Sequence, residues 1–226
     1  MTETVAVIVA HPDDEVLGCG GTIARHIAEG DEVSIIIMTD GVSARESQQQ
    51  AAQLQQRQDA SVRALAELGI DEESVHRFNF PDNQLDTLPL LEVTQTIEKE
   101  LNKIQPSVVY THYAQDLNID HRIVNQAVLT ACRPQPGSPV KKLLTFEVLS
   151  STEWQSKSYP TFTPNYIVDI SNYWESKLRA LKQYDEEIRS FPHSRSYETI
   201  KSLATTRGAM YGLQMAESFY IERCIR

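Results

Sequence analysis

The sequence lacks any run of about 18 consecutive apolar residues, the length a helix needs to cross a bilayer. Its first ten residues (MTETVAVIVA) also lack a basic start followed by a cleavable apolar segment, so the expectation is a cytoplasmic protein with no membrane insertion. Cysteine is scarce. Cys19, Cys132 and Cys224 give neither a CxxC pair nor an even disulfide framework, and read as free thiols of a reducing compartment. The 9 glycines and 10 prolines gather in no linker, so the 226 residues are expected to form a single domain around one core. Basic residues are outnumbered 21 to 31, leaving a net charge of −10, and they are scattered, which excludes the electrostatic footprint of a nucleic-acid binder.

What the sequence does contain is an alternation of strand and helix signals. Val5 to Val9 is short, apolar and continuous, as in a strand covered on both faces of a parallel sheet, and residues 33–38 (VSIIIM) repeat the signal. Between them, residues 17–29 place Leu17, Ile23 and Ile27 at roughly helical spacing and end at Gly30, a suitable helix C-terminal residue. Residues 46–68 read as a long helix closed by Gly69, and 75–80 as a weaker strand. A helix is predicted over 89–104, a strand over 107–111 after Pro106, and another helix after Asp120. Beyond residue 135 the pattern loosens, to strands near 143–149 and 166–170 and helices near 172–188 and 196–213. The alternation implies βαβ units, and hence an α/β fold: a Rossmann-like three-layer sandwich with a mainly parallel sheet.

In such sheets ligands bind beyond the carboxyl ends of the strands, and two predicted strand ends carry unusual chemistry. The first strand runs into His11-Pro12-Asp13-Asp14-Glu15, an imidazole and three carboxylates in five positions. The strand at 107–111 runs into His112 to His121, ending Asn118-Ile119-Asp120-His121. A catalytic zinc takes three N or O ligands from the protein, and His11, Asp14 and His121 would supply them. Spacing leaves open which of Asp13, Asp14 and Glu15 binds the ion and which serves as base. Glu15 is as readily explained as a favourable charge at a helix N-terminus, and Arg57 as a solvated helix residue. Gly18, Gly20 and Gly21 would let the backbone approach a ligand closely. A metal-dependent amidase acting on another N-acyl conjugate is one competing reading; a nucleotide- or sugar-binding module is another, but Gly18-Cys19-Gly20-Gly21 does not give GxGxxG, and the carboxylates stand where a pyrophosphate would sit.

His11-Pro12-Asp13-Asp14-Glu15 together with Asp120-His121 resembles the LmbE-like, PIG-L deacetylase family, over most of residues 5–220. The resemblance implies a Rossmann-like fold, with one divalent ion, expected to be zinc, held by His11, Asp14 and His121, and Asp13 as general base. It also implies hydrolysis of the N-acetyl group of an N-acetylglucosamine-type substrate, and homo-oligomerisation stays open. Thr39-Asp40-Gly41, Arg57, Phe80-Pro81-Asp82-Asn83 and Pro192-His193-Ser194-Arg195-Ser196 also resemble family segments. On that basis Arg57, Asp40, Asp82 and His112 are expected to bind substrate, and Asn118, Asp120 and His193 to take part in catalysis. One position departs from the family pattern: Asn118 stands where many members have a histidine. An amide donates a hydrogen bond to an oxyanion but shuttles no proton, so any acid role is expected to pass to His193 or His112.

Overall fold

Every residue from Val5 to Ala10 is buried, odd and even positions alike, which requires cover on both faces of the strand that contains them. A computed structural model describes residues 2–42 and 50–226. It runs β1 (Thr4–Val9), α1 (Asp14–Glu29), β2 (Glu32–Thr39), α2 (Gln50–Glu67), β3 (Val75–Phe80), α3 (Leu90–Ile104), β4 (Val108–His112), α4 (Ile119–Ala131), β5 (Lys142–Phe146), β6 (Tyr166–Asp169), α5 (Trp174–Gln183), α6 (Tyr197–Ala209) and β7 (Ala216–Cys224). The helix expected over 46–68 is described from Gln50; its predicted start at residues 46–49 lies outside the described residues. The sequence reading gave no strand at the position of β7.

The seven strands form one sheet in the order β3-β2-β1-β4-β5-β7-β6, with β7 antiparallel to both neighbours and the other pairings parallel. Alternate residues of β1 and β2 feed two cores. Val5, Val7, Val9, Ile35 and Ile37 pack with residues of α1, α2, α5 and α6, whereas Ala6, Ile8, Ile36 and Met38 pack with α3 and α4. Each fully buried Val, Ile or Leu side chain contributes roughly 1.5–3 kcal/mol. The result is three layers. Among the described residues no helix is long and apolar enough to cross a membrane.

The chain leaves β1 toward β2 and β3, then returns to lay β4 on the other side of β1. This reversal opens a crevice between the carboxyl ends of β1 and β4, the usual ligand position in an open α/β sheet. The glycines after β1 serve a different contact from the one expected. A Cβ on Gly18 would overlap the Phe146 ring, and one on Gly21 would lie 2.8 Å from the Ile170 side chain. Gly18 and Gly21 let α1 approach β5 and the residue after β6 rather than a ligand.

Candidate metal centre

His11 follows the end of β1, and Pro12-Asp13 turns the chain into α1. The turn holds Asp13 at φ +115°, a conformation a non-glycine residue keeps only when its surroundings impose it. Three buried atoms converge here. His11 Nδ1 lies 3.1 Å from Asp14 Oδ2 and 3.2 Å from His121 Nε2, and His121 Nε2 lies 3.2 Å from Asp14 Oδ2. An ion about 2.0–2.1 Å from each of three tetrahedral ligands spaces them about 3.3–3.4 Å apart, so the triangle closely fits one divalent ion.

The other ring nitrogens bear this out. His11 Nε2 faces Asp120 Oδ2 and Asp82 Oδ1, each at 3.1 Å, and His121 Nδ1 faces Asp116 Oδ1 at 3.2 Å, off the hydrogen-bond axis. Carboxylates there favour protons on those outer nitrogens and leave both inner lone pairs turned toward Asp14. Asp116 is itself held by Ser151 Oγ, by Thr152 Oγ1 at 2.5 Å and by the Asn118 N–H at 2.8 Å. His11, Asp82 and Asp120 make a second group close enough to share an ion. However, Asp120 Oδ2 accepts from the Asn83 N–H at 2.7 Å and Oδ1 from the Leu85 N–H at 3.0 Å, which assigns it to loop anchoring and orientation of His11.

Electrostatics point the same way. Burial opposes charge on His121, but Asp14 and Asp116 outweigh it and raise its pKa to about 9. Burial would likewise raise the Asp14 pKa, yet the charge of His121 and the hydrogen bonds of His11 and His121 hold it well below the usual carboxylate range. The cluster binds positive charge, as protons or as an ion.

Asp13 is outside the triangle and beside it. Its Oδ2 lies 3.1 Å from Arg195 Nη1 and 3.3 Å from Arg57 Nη2, while Arg57 Nη1 pairs with Glu187 Oε1 at 2.5 Å and the guanidinium sits 5.6 Å from the Tyr184 ring centroid. Burial raises the Asp13 pKa despite the two arginines. Arg57 is thus a buried partner of Asp13, not a solvated helix residue. Glu15 points away from the triangle: its Oε2 accepts from the Asp13 N–H at 3.0 Å, and its Oε1 from the Tyr184 hydroxyl at 2.8 Å.

Asn118 caps α4, its Oδ1 accepting from Asp120 N–H at 2.8 Å and His121 N–H at 3.4 Å, so Nδ2 must face Asn83 Oδ1, 3.0 Å away. These residues border a cleft of about 200 Å³ that also takes in Asp82 and Ser151. A larger hollow of about 640 Å³ runs along α4 but, among the described residues, brings no comparable ligand set together.

Three candidates stand apart from the cleft. His112 is fully buried, accepts the Ala10 N–H on Nε2 at 2.8 Å and stacks on His121 with centroids 3.9 Å apart. Burial and the charge of His121 drive its pKa down to about 3, so it is a neutral buttress and neither a substrate contact nor an acid. Asp40 Oδ1 accepts the Val42 N–H at 3.0 Å, closing a turn that brings Gly41 to the cleft. His193 does not line the cleft; its ring is edge-on to Trp154 at 5.5 Å and its Nδ1 accepts the Arg195 N–H at 3.0 Å. Glu187, Arg195 and Asp116 are components that sequence reasoning gave no role; only the tail motif around His193 signalled one of them.

Comparison with known proteins identifies the family. The chain is 31% identical over 186 residues to the uncharacterised deacetylase YaiS of Escherichia coli K12, covering 80% of this chain and 89% of the relative. Its fold superposes with a TM-score of 0.77 on N,N'-diacetylchitobiose deacetylase of Pyrococcus horikoshii, at 24% identity, covering 98% of this chain and 84% of that one. It also superposes with a TM-score of 0.76 on a 4-carboxy-2-hydroxymuconate hydratase of Pseudomonas putida, at 20% identity and covering 98% and 96% of the two chains, so the fold alone does not set the reaction. Residues 6–132 match the family model described as PIG-L, GlcNAc-PI de-N-acetylase, and with the relationship to YaiS this establishes that the chain belongs to the PIG-L family.

Proposed function

We propose that this chain is a zinc-dependent N-deacetylase that hydrolyses the acetamido group of an N-acetylglucosamine-type sugar, releasing acetate and the free amine. The observation that carries the reading is the closed triangle of His11 Nδ1, Asp14 Oδ2 and His121 Nε2 with a non-ligand carboxylate, Asp13, beside it. Membership of a family whose model is described as a GlcNAc-PI de-N-acetylase supports both the deacetylase chemistry and an amino-sugar substrate.

His11, Asp14 and His121 would hold the ion. Bound there, a divalent ion supplies Lewis acidity and makes a neighbouring water easier to deprotonate. Asp13 takes the proton of the attacking water as oxygen adds to the acyl carbon. Arg57 and Arg195 fix the Asp13 side chain through Oδ2. Asn118 Nδ2 has a second hydrogen for the developing oxyanion. As the C–N bond breaks, the proton held by Asp13 passes to the departing nitrogen. With its Nδ1 accepting the Arg195 N–H, His193 has only Nε2 to offer the departing nitrogen and is the second candidate donor. Arg57 and Asp82 border the same space and are assigned to the sugar hydroxyls.

The test is acetate release by the zinc-reconstituted protein from N-acetylglucosamine, N,N'-diacetylchitobiose and non-sugar N-acyl amides. Faster acetate release from the sugars is expected. Zinc-loaded protein that hydrolyses only non-sugar amides would overturn the substrate assignment, and zinc-loaded protein inert on the whole panel would overturn the deacetylase reading.

A further inference from the structure

Helix α1 is broken within its fourth to seventh residues. Cys19 leaves helical conformation, at φ −146° and ψ 24°, five residues after the proposed ligand Asp14. In an unbroken helix the Gly21 N–H would donate to the Leu17 carbonyl. Here the Gly21 N–H donates to Glu217 Oε1 at 2.9 Å, and the Leu17 carbonyl accepts from Lys177 Nζ at 2.9 Å. Lys177 Nζ and Glu217 Oε1 are themselves 2.6 Å apart. A buried ion pair, one partner from α5 and the other from β7, is therefore spliced into the opened rung. The Thr22 N–H and hydroxyl also donate to Glu217 Oε2, at 2.7 and 2.6 Å, completing a cap for the second half of the helix.

Stability alone does not account for such a pair. Desolvating two charges offsets most of their attraction, and well-packed apolar residues often serve a buried site as well or better. The splice stands where the first segment of α1, carrying Asp14 and Glu15, meets the rest of the helix. The same part of the fold reaches this segment and Asp13 twice more. Tyr184, just past α5, holds Glu15, and Glu187 holds Arg57 against Asp13.

We infer that Lys177 and Glu217 are positioning residues: their ion pair, inserted into the helix ladder, fixes Asp13 and Asp14 relative to His11 and His121. This rests on His11, Asp14 and His121 being ligands. Zinc binding by the wild-type protein tests that reading separately, and only the difference between wild type and variant tests the splice.

The experiment replaces the pair by apolar residues of similar length, Lys177→Met with Glu217→Leu, so that the Gly21 N–H and the Leu17 carbonyl can pair with each other and straighten α1. Zinc affinity by chelator competition, thermal midpoint, and kcat and KM are measured on wild type, the double variant and Lys177→Arg. The expected result is a folded double variant whose zinc affinity and kcat fall about 10–100-fold, the range for residues that orient ligands, with KM little changed and Lys177→Arg close to wild type. Wild-type zinc affinity and kcat in the folded double variant overturn the inference, with or without a lowered thermal midpoint. If the double variant does not fold, Glu217→Asp, which keeps the charge but shortens its reach by one carbon, is expected to weaken zinc binding in the same range; wild-type affinity there overturns the inference equally.

Discussion

Asp13 and Asp14 are adjacent in sequence and opposite in circumstance. Asp14 faces His11 and His121, which outweigh burial and keep its carboxylate ionised, as a ligand must be. Asp13 faces two guanidinium groups through one oxygen, yet burial leaves its pKa above the ordinary value, in the direction that makes a better base. Asp13→Asn should therefore keep the ion while kcat falls by about 10²–10⁴-fold, the usual cost of a lost general base. Asp14→Asn should weaken zinc binding. Equal zinc loss in both variants, or full activity in Asp13→Asn, would reverse the division of labour. At this scale the place of the triangle was readable because His11, Asp14 and His121 sit in two short motifs just past apolar strands, whereas the choice of Asp14 over Asp13 and Glu15 came only from the resemblance. The surroundings of Asp13 were not readable. Arg57, Glu187 and Arg195 come from a helix, a turn and a loop whose meeting depends on tertiary packing, and an arginine in a Gln-rich helix carries no local mark of burial.

Asn118 shows how one side chain can serve an element and a site together. Its Oδ1 caps α4 and so fixes where His121 projects, while its Nδ2 donates to Asn83, a fellow residue of the cleft wall. The two uses separate by substitution. Asn118→Ala should destabilise the protein by about 1 kcal/mol through the lost cap and also lower kcat. Asn118→Ser keeps a cap oxygen and should restore the thermal midpoint but not the turnover. If Asn118→Ser recovers both, the amide donor has no part in the reaction and Asn118 acts only as a cap. Among elements, β1, β2 and β4 were legible because burial on both faces writes a continuous apolar run. β7 escaped because its sequence, AESFYIERC, mixes apolar residues with Glu217, Glu222 and Arg223, and because its burial fades from its first half to its second. The charge at Glu217 that hid this strand is the one spliced into α1.

For the molecule as a whole, the order of strands decides where these elements can act. β1 and β4 lie side by side only because the chain returns across β1 after making β2 and β3, so His11 and His121, 110 residues apart, meet at one crevice. The alternation of strand and helix made a parallel sheet legible, but no local signal states that β4 pairs with β1, and the ligand triangle depends on that pairing. An ion held there joins the segments following two central strands, and the unfolded chain has no such triangle, so zinc should stabilise the whole fold. At a free zinc concentration 100 times its Kd the gain is about 2.7 kcal/mol. For a chain of this size that is an increase of about 5–11 °C in the thermal midpoint. Scanning calorimetry with zinc and with chelator should show a difference of that order, growing with the logarithm of zinc concentration. His121→Ala should abolish the difference, whatever its own midpoint, because it removes a corner of the triangle. A zinc-dependent shift that survives in His121→Ala would place the bound ion elsewhere, and no shift in the wild-type protein would remove the ion from the mechanism.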